Sequence, residues 1–411
     1  MVENKIKGFL NTKNKNECSG CGACNNVCPV NAIKMLEDKE GFIYPDIDEN
    51  ICIHCNLCHR VCYIETKKLK KSNPLYVWGG YHKDELILKE STSGGAFSAI
   101  AEIALDKGFV VFGATSKGIE VYHTKILEKK ELKYLRKSKY IQSNINYIYK
   151  DIKSLLKNKI NVLFSGTPCQ IAGLYSYLEY NNIDNLLTVE VICEGVPSPL
   201  FIKKFVSFLE NEKNKKVIEL DYRYKDKNKW DFQVMRIVFD DRSVYKKDRW
   251  FNPFWSIWLQ HLMSRPSCYN CSFTTNGRVA DITLGDLWGV HIYCPELYNK
   301  NKGASLVLCN TERGKEFFKE VLRNNIMIGH ELNFDEAIKY QGPLRKHIME
   351  NKQRKDFMID LMDNNTSYEN ICEKWNKKAN FKLLLSKYIW GNRQKVFIWN
   401  LKRFFRRNDN V

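Results

Sequence analysis

Eight of the fifteen cysteines form two runs with the same spacing, C-x-x-C-x-x-C-x-x-x-C. The first run is Cys18, Cys21, Cys24 and Cys28, and the second is Cys52, Cys55, Cys58 and Cys62. Two intervening residues allow three thiolates to surround one face of an iron–sulfur cubane, while the fourth cysteine of each run ligates the other cluster. The spacing predicts two [4Fe-4S] clusters, one on Cys18, Cys21, Cys24 and Cys62 and one on Cys28, Cys52, Cys55 and Cys58.

This spacing is that of bacterial dicluster ferredoxins. Gly20 and Gly22 let the loop backbone approach the cluster sulfides and donate N–H groups, and Pro29 redirects the chain after the first run. Tyr63 stands where a second proline is expected. Zinc is the alternative metal, but zinc ribbons separate their cysteine pairs by a longer gap and lack the exchanged fourth ligand. We therefore expect a ferredoxin-type module over residues 1–65.

The composition is that of a globular protein, with 411 residues, 44% hydrophobic residues and a formal charge of +18. This length exceeds what one hydrophobic core fills, so about two or three domains are expected. No window approaches the roughly 18 apolar residues of a membrane-spanning helix. The N-terminus lacks a signal-peptide pattern, which favours a cytoplasmic protein. The basic residues form no recognisable nucleic-acid-binding motif, so no nucleic-acid partner is expected.

The elements that must position these cysteines change in character after the first module. A lysine-rich linker over 66–75 precedes alternating strand and helix patterns that begin at Tyr76 and predict a parallel or mixed sheet. An antiparallel hairpin is predicted around 232–247, and the pattern is mostly helical after about residue 315. The predicted fold class is α/β (α+β). The expected segments of the larger part are 76–160, 161–330 and a helical, basic region over 331–411.

Four segments of the larger part stand out: STSGGAFSAI (Ser91–Ile100), KSKYIQS (Lys137–Ser143), FSGTPCQIAGL (Phe164–Leu174) and ICEGVPSP (Ile192–Pro199). Two of them place Ser, Thr and Gly at the start of a helix, where free N–H groups and the helix dipole favour a phosphate. Ordinary helix capping explains each segment alone. Together they are typical of a nucleotide cofactor site.

With SRPSCYNCSFTTNGRVADITLGDLWG (Ser264–Gly289), these segments resemble the coenzyme F420 hydrogenase/dehydrogenase beta-subunit family, which includes 7-hydroxymethyl chlorophyll a reductase. The resemblance spans about residues 76–320. Family members are FAD-containing iron–sulfur oxidoreductases, so the resemblance implies a mixed α/β FAD-binding domain. It implies that Ser93, Gly94 and Gly95 hold the FAD diphosphate, that Thr167, Pro168 and Gln170 line the flavin, and that Lys139 and Ser143 support the same pocket.

The resemblance also implies a third cluster, because family members can hold one near the flavin on cysteines that match Cys169, Cys193, Cys268 and Cys271. Cys169 and Cys193 follow two predicted neighbouring strands, and the other two arrive on a loop, so the four thiols could converge at one edge of the sheet. Buried inert cysteines and a zinc site are the alternatives. The remaining cysteines lack partner spacing and are predicted to be core thiols: Cys294, Cys309 and Cys372.

A flavin accepts a hydride as two electrons, whereas each cubane carries one, so the combination predicts a converter between the two modes. The expected partners are a ferredoxin, another redox protein or a deazaflavin, together with a small organic substrate. A non-catalytic subunit that relays electrons to a partner enzyme is the alternative. Structural roles are favoured over proton donation for His82, His123, His261 and His291. The sequence identifies no catalytic residue.

The C-terminal tail after Asn380 carries eight basic residues and one acidic residue, Asp409. The basic residues, which alternate with aromatic and aliphatic ones, are Lys382, Lys387, Arg393, Lys395, Lys402, Arg403, Arg406 and Arg407. This composition predicts an amphipathic segment on an anionic bilayer, which would place the protein at the inner face of the membrane. Packing against the protein's own core or a partner subunit is the equally open alternative.

Overall fold

The computed structural model describes residues 8–181, 183–226 and 229–408, with the backbone alone for 403–408. Its strands are β1 (Ile33–Glu37), β2 (Ile43–Ile47), β3 (Tyr76–His82), β4 (Val110–Lys117), β5 (Glu120–Ile126), β6 (Val162–Gly166), β7 (Leu186–Val191), β8 (Val217–Tyr224), β9 (Val234–Phe239), β10 (Val244–Lys247), β11 (Ile282–Asp286), β12 (Ser305–Cys309) and β13 (Met327–Glu331).

The α-helices are α1 (Phe9–Thr12), α2 (Ala23–Val27), α3 (Leu57–Arg60), α4 (Tyr63–Thr66), α5 (Glu85–Glu90), α6 (Ala96–Asp106), α7 (Leu132–Leu135), α8 (Ile148–Lys157), α9 (Pro168–Tyr177), α10 (Pro199–Lys213), α11 (Pro253–Leu259), α12 (Val290–Tyr293), α13 (Glu312–Arg323), α14 (Phe334–Ile338), α15 (Arg354–Met362), α16 (Tyr368–Trp375), α17 (Phe381–Leu384) and α18 (Asn392–Asn408). Short 3-10 turns at Pro266–Asn270 and Pro295–Asn301 and a π-helical turn at Leu385–Ile389 also bear on the sites.

The two cysteine runs of the N-terminal module adopt the same loop conformation. Gly20 and Gly22 have positive φ angles of 70° and 77°, and the matching positions of the second run, His54 and Asn56, have 50° and 58°. The left-handed region suits glycine best and is tolerated by asparagine and histidine. A short helix then follows each loop, α2 or α3, and β1 pairs with β2 antiparallel between the runs. The duplicated spacing therefore produces a duplicated loop even where the second run has no glycine.

A mixed eight-stranded sheet forms the centre of the larger part, in the order β13-β3-β12-β11-β7-β6-β4-β5. The strands from β11 to β4 are parallel, and both flanks are antiparallel. Alternate residues of a strand face opposite sides of a sheet. On β6, Leu163 accordingly packs with α6 and α13, whereas Val162 and Phe164 pack with α8 and α9.

A second core combines elements from between β7 and β11 with two helices from later in the chain. The antiparallel strands β10-β9-β8 form a three-stranded sheet, and α10, α11, α15 and α16 pack with it. Aromatic side chains dominate this core, among them Phe201, Phe254 and Phe357. Its helix α11 carries Trp255 and Trp258 toward the edge of the large sheet, where they line a cavity.

The α/β class with an N-terminal dicluster region is confirmed, and the predicted hairpin is β9 paired antiparallel with β10. The described chain after residue 315 is mostly helical, as predicted, but it also contains β13, an edge strand that pairs antiparallel with β3. Segments 76–160 and 161–330 contribute strands to one sheet, because β3 lies between β13 and β12. Among the described residues, no helix has the length and apolar character needed to cross a membrane.

Candidate functional site

The first cysteine group combines three members of the first run with the last member of the second. Burial is the main effect that raises the pKa of Cys24, and the nearby thiolates of Cys21, Cys18 and Cys62 raise it further. The pKa of Cys21 responds in the same direction, to burial first and then to Cys62 and Cys18. Gly20 N–H donates to Cys18 Sγ at 3.3 Å. The structure thus brings Cys62 across to the first run.

The second group lies nearer the surface. Cys28 is buried against Ala32 and packs with Cys52 and Cys58. The N–H of Ala32 donates to Cys28 Sγ at 3.2 Å. Cys55 is exposed, and its thiolate contributes to the raised pKa of Cys58 after the larger effect of burial. One member of this group is therefore accessible to solvent, whereas Cys28 is not.

The third group assembles at the carboxyl edge of the parallel strands. Cys169 follows β6 and Cys193 follows the adjacent β7, while the 3-10 turn Pro266–Asn270 carries Cys268 toward them, with Cys271 next in the chain. Burial raises the pKa of Cys193 well above its usual range, and the thiolates of Cys268, Cys169 and Cys271 add to this rise. The structure brings all four thiols together.

The distances between the thiol sulfurs indicate whether a cysteine group suits an iron–sulfur cubane or a single zinc ion. Zinc binds thiolate at about 2.3 Å, so four sulfurs around it lie about 3.8 Å apart. Two clusters in the described part of the chain have three ligand atoms within 4.8 Å of one another, and each contains a single cysteine. No three cysteine sulfurs of the described residues lie that close together. The three cysteine groups are too open for one tetrahedral zinc and have the donor set of an iron–sulfur cluster.

Tyr63 lies where the first and third groups meet. Its pKa is raised well above the usual range by burial, and the thiolates of Cys169, Cys21 and Cys271 add to the shift. Its hydroxyl donates to Ser19 Oγ at 2.8 Å. The residue that replaces the expected proline after the second run therefore packs between two cysteine groups.

Helix α9 joins the same two groups. It carries Cys169 near its start and Gly173 one turn later. A Cβ added at Gly173 would lie 2.9 Å from Cys21 Sγ, so a larger residue there would displace the first cysteine group. The first and third groups are thus neighbours across one face of this helix.

A cavity of about 360 Å³ opens at the carboxyl edge of the large sheet, where open α/β sheets commonly bind ligands. Its wall combines residues of the predicted nucleotide segments with two thiols of the third group and the loop of the first. These residues are Ser19, Gly20, Ser93, Gly95, Lys139, Ser143, Thr167, Cys169, Gln170 and Cys193. The cavity therefore contacts both the candidate cofactor residues and two cysteine groups.

The glycine-rich segment ends at the N-terminus of α6. Gly95, the N-cap residue, has a φ of 85°, and among the described side chains none caps this end. The free N–H groups of the first turn suit a phosphate. Gly94 and Pro168 do not line the cavity. A Cβ at Gly94 would lie 2.4 Å from the carbonyl oxygen of Gly80, so close packing within the protein requires this glycine.

Thr167, Gln170 and Ser143 form a hydrogen-bonded group around His123. Gln170 accepts from Thr167 N–H at 3.0 Å and donates to the carbonyl of Ser143 at 3.3 Å. His123 Nε2 donates to Ser165 O at 3.0 Å, which leaves Nδ1 to accept from the Ser143 hydroxyl. Burial lowers the pKa of His123 to about 4. His123 is therefore neutral and holds this part of the wall in place.

Lys139 places an amine in the same wall. Burial lowers its pKa to about 7, and the charge of Lys137 acts in the same direction. Its Nζ lies within hydrogen-bond distance of four main-chain carbonyl oxygens, which share its N–H donors: those of Ala114, Tyr134, Leu135 and Arg136. Lys139 thus changes charge near neutral pH while remaining fixed in position.

Aromatic residues of the cavity were missed from the sequence. Tyr140 contacts Trp255 and Trp258 edge to face, with ring centroids 5.1 and 5.0 Å away. Both indole Nε1 atoms are buried and have no hydrogen-bond partner among the described residues. Trp288 lines the cavity too, beside an ion pair between Arg223 and Asp286. In the sequence, Trp255 and Trp258 have the spacing of ordinary core residues of a helix, so no sequence pattern indicates that they line a cavity.

Arg265 links the first cysteine group to the cavity and was also missed. It is fully buried and donates to the carbonyl of Cys18 at 2.9 Å, to Gln142 Oε1 at 2.6 Å and to the carbonyl of Ile43 at 3.1 Å. Its guanidinium lies 4.1 Å from the centre of the Tyr44 ring. This side chain fixes the ferredoxin-type module to the larger part of the chain beside Gln142, which lines the cavity.

The other candidate residues lie elsewhere. His82 packs beneath Gly95 and contacts Glu102 at 3.5 Å, and neither His261 nor His291 lines this cavity. Cys309 is buried in the sheet, and Cys372 is half-buried in the second core. Cys294 is buried in a hydrophobic cluster, as predicted for a core thiol, and it also contacts Glu296 and His330.

Comparison with known proteins identifies two regions. Residues 160–333 match the model for the C terminus of the coenzyme F420 hydrogenase/dehydrogenase beta subunit, and residues 17–65 match the 4Fe-4S dicluster domain. A chain of the F420-reducing [NiFe] hydrogenase complex from Methanosarcina barkeri is similar at 18% identity and a TM-score of 0.46, over 66% of this chain and 88% of that chain. No curated protein matches. The resemblance is confirmed as a match to the C-terminal domain of this beta-subunit family over residues 160–333, with a 4Fe-4S dicluster domain before it.

Proposed function

We propose that the chain is an iron–sulfur flavoprotein oxidoreductase that passes electrons between [4Fe-4S] clusters and FAD. One observation carries the proposal: a single cavity has the free N-terminus of α6, the Lys139 amine, two thiols of the third cysteine group and the loop of the first group in its wall. A flavin in this cavity would lie directly beside cluster ligands. Such contact is what electron transfer between a two-electron and a one-electron carrier requires.

The residues present fit FAD. The N–H groups at the start of α6 would hold the diphosphate, with Ser93 and Gly95 in the wall beside them. Trp255 and Trp258 also line the cavity, and their buried indole N–H groups have no acceptor among the described residues. FAD would supply hydride transfer at this place, and the chain's own residues would orient it and keep water from its ring.

The three cysteine groups form a series from the surface to the cavity. Cys55 of the second group is exposed, so a ferredoxin or another redox protein would exchange electrons there. Cys24 of the first group packs against the core that contains Cys28, and Cys21 lies next to Cys169 of the third group. The third group then borders the cavity through Cys169 and Cys193. Electrons would follow this series in either direction.

The organic substrate would enter beside the aromatic residues. Tyr140 and Trp288 are partly exposed in the cavity wall next to the ion-paired Arg223, and Trp255 and Trp258 support Tyr140 from behind. Such a wall suits a planar molecule with a polar substituent, including a deazaflavin coenzyme. The alternative is a subunit that relays electrons to a partner enzyme without a substrate of its own. The cavity favours the enzyme, because a relay needs no aromatic substrate site.

Anaerobic purification with iron, sulfide and flavin analysis tests the proposal. We expect about twelve irons and one FAD per chain, since each cubane holds four irons. A screen with ferredoxin, reduced deazaflavin and nicotinamide should then identify one donor that bleaches both flavin and cluster absorbance. Protein that takes up clusters but binds no flavin would contradict the proposed enzyme and leave the relay subunit.

We also propose that the C-terminal helices rest on an anionic membrane surface. One side of this segment packs on the protein, because Tyr388 hydrogen-bonds Asp248, Asn392 hydrogen-bonds Asp231 at 2.9 Å, and Val396 is buried. Packing against the protein, one of the two alternatives from the sequence, therefore applies to the side of the segment that faces the protein. Membrane binding, the other alternative, concerns the side that faces away from it.

The outer side supports the membrane proposal. Phe397 and Leu401, one helical turn apart on α18, are 62% and 41% exposed, and Trp390 is 56% exposed. Exposed basic residues accompany them at Lys395 and Lys402. This combination is typical of helices that lie in the interface of anionic bilayers. The side chains predicted to extend this face lie outside the described residues, together with Asp409: Arg403, Phe404, Phe405, Arg406 and Arg407.

A further inference from the structure

Cys294, Glu296 and His330 converge at a place separate from the cavity and the three cysteine groups. Cys294 Sγ lies 3.6 Å from Glu296 Oε1 and 3.5 Å from His330 Nε2, and the latter two atoms are 3.2 Å apart. Cys294 is 2% exposed, whereas Glu296 and His330 face solvent on their outer sides. Three different ligand atoms thus surround one point just below the surface.

These distances match the coordination of one zinc ion. Zinc binds sulfur at about 2.3 Å and nitrogen or oxygen at about 2.0–2.1 Å in a tetrahedron, which places sulfur about 3.5 Å from either lighter atom and the lighter atoms about 3.3 Å from each other. The three observed separations agree with this pattern to within about 0.2 Å. The three cysteine groups of the redox site are wider, so the two kinds of site differ in geometry.

The orientation of His330 distinguishes a metal site from a catalytic triad. In a triad the two imidazole nitrogens contact different partners, the nucleophile on one side and the carboxylate on the other. Here Nε2 alone faces both Cys294 and Glu296. Nδ1 donates instead to the carbonyl of Glu331 at 2.9 Å, which leaves the Nε2 lone pair pointing at the other two ligands. Such a hydrogen bond to a main-chain carbonyl is the usual support of a metal-bound histidine.

We propose that Cys294, Glu296 and His330 bind one divalent metal ion of the zinc class. The mixed sulfur, nitrogen and oxygen set suits zinc, and three protein ligands leave a fourth position for water. The metal would join the 3-10 turn Pro295–Asn301 to the edge strand β13. It would thereby fasten the edge of the large sheet.

Zinc analysis of the full chain tests the site. After anaerobic cluster reconstitution and dialysis against a weak chelator, we expect one zinc per chain. The zinc absorption edge should report one sulfur at about 2.3 Å and light atoms at about 2.0–2.1 Å. Cys294→Ser and His330→Gln should each weaken zinc binding by at least about tenfold, with the iron content unchanged. Cys372→Ser and His347→Gln are matched controls that should keep the zinc.

The other outcomes overturn the proposal. Wild-type protein that retains no zinc after dialysis would exclude a resident site. Zinc that persists in the Cys294→Ser, His330→Gln double variant, or that shows four sulfur neighbours, would place the metal in the cysteine groups of the redox site instead. Unchanged iron content in each variant shows that a loss of zinc does not come from unfolding.

Discussion

At the scale of single residues, Lys139 sets the charge of the cavity. Its amine lies among four carbonyl oxygens, so it keeps hydrogen-bond acceptors whether it carries three protons or two. The folded-state pKa is lowered to about 7 from the ordinary 10.5 by burial. The cavity wall therefore gains a positive charge as the pH falls through about 7, and an anionic ligand should respond.

We expect FAD affinity to increase roughly tenfold as the pH falls from about 8.5 to about 5.5, because a positive charge in the cavity wall attracts the anionic diphosphate. The Lys139→Met variant should show little pH dependence of FAD affinity. Lys133 is an exposed lysine nearby, so the Lys133→Met variant should keep the pH dependence of the wild-type protein. Quenching of flavin fluorescence on titration of apoprotein measures the affinity. If the FAD affinity of the Lys139→Met variant depends on pH as steeply as that of the wild-type protein, the diphosphate does not bind near this amine.

Arg278 and Glu190 form an ion pair behind the third cysteine group, where both are almost completely buried. Arg278 also donates to the carbonyls of Phe273 and Thr275, in the loop that follows Cys271. Removal of one partner of a buried pair leaves an uncompensated charge, whereas removal of both often costs little. The pair therefore holds the loop in position as well as neutralising Glu190.

We expect Arg278→Met to lower the free energy of unfolding by about 3–5 kcal/mol and to reduce occupancy of the third cysteine group. The double variant Arg278→Met, Glu190→Gln should recover much of the stability, since it removes the unpaired carboxylate. Denaturant unfolding and iron content give the two readouts. If the double variant is no more stable than Arg278→Met, the loop contacts rather than the ion pair dominate.

At the scale of elements, β6 and β7 explain how distant cysteines meet. The strands are parallel neighbours, so the residues after each of them reach the same edge of the sheet. Cys169 and Cys193 arrive there from two strands, and Cys268 and Cys271 arrive on a turn held by Arg265 and Arg278. The donor set depends on all three elements at once.

For this reason Cys268→Ser should lower the iron content from about twelve to about eight per chain, while the ferredoxin-type clusters stay in place. Cys372→Ser removes a half-buried thiol far from these elements in sequence and should leave the iron content unchanged. Iron analysis with low-temperature electron paramagnetic resonance of the reduced protein separates the clusters. An unchanged iron content in Cys268→Ser would remove the third-cluster assignment.

The same elements show what sequence patterns reveal. The C-x-x-C runs and the strand-to-helix segments are local, so their spacing alone predicts the ferredoxin module, β6, α9 and the hairpin. Cys294 and His330 lie 36 positions apart, and β13 brings them together only by pairing with β3. The aromatic wall of the cavity depends likewise on α11 packing across from another sheet. Contacts set by tertiary packing leave no periodic signal in one sequence.

At the scale of the whole molecule, the proposed electron route would have two ends that differ in shape. Cys55 is exposed and would face a protein partner at one end, and the cavity at the sheet edge would form the other. The C-terminal helices attach beside a second cavity, where Tyr388 and Asn392 join the wall that contains Trp230 and Trp288. If α18 binds a membrane, the second cavity would therefore lie on the side of the protein that faces the membrane.

The last prediction concerns this attachment. The double variant Phe397→Ser, Leu401→Ser removes exposed apolar surface only, so it should fold normally while losing at least about tenfold in affinity for phosphatidylserine vesicles. Lys395→Glu, Lys402→Glu should weaken binding most at low salt, since each basic residue near an anionic surface contributes about 1 kcal/mol. Asn400→Ser, on the same helix, is the matched control. Co-sedimentation over a salt series measures the binding. Equal sedimentation of the wild-type protein and the Phe397→Ser, Leu401→Ser variant would contradict the membrane proposal and leave a partner subunit as the occupant of this face.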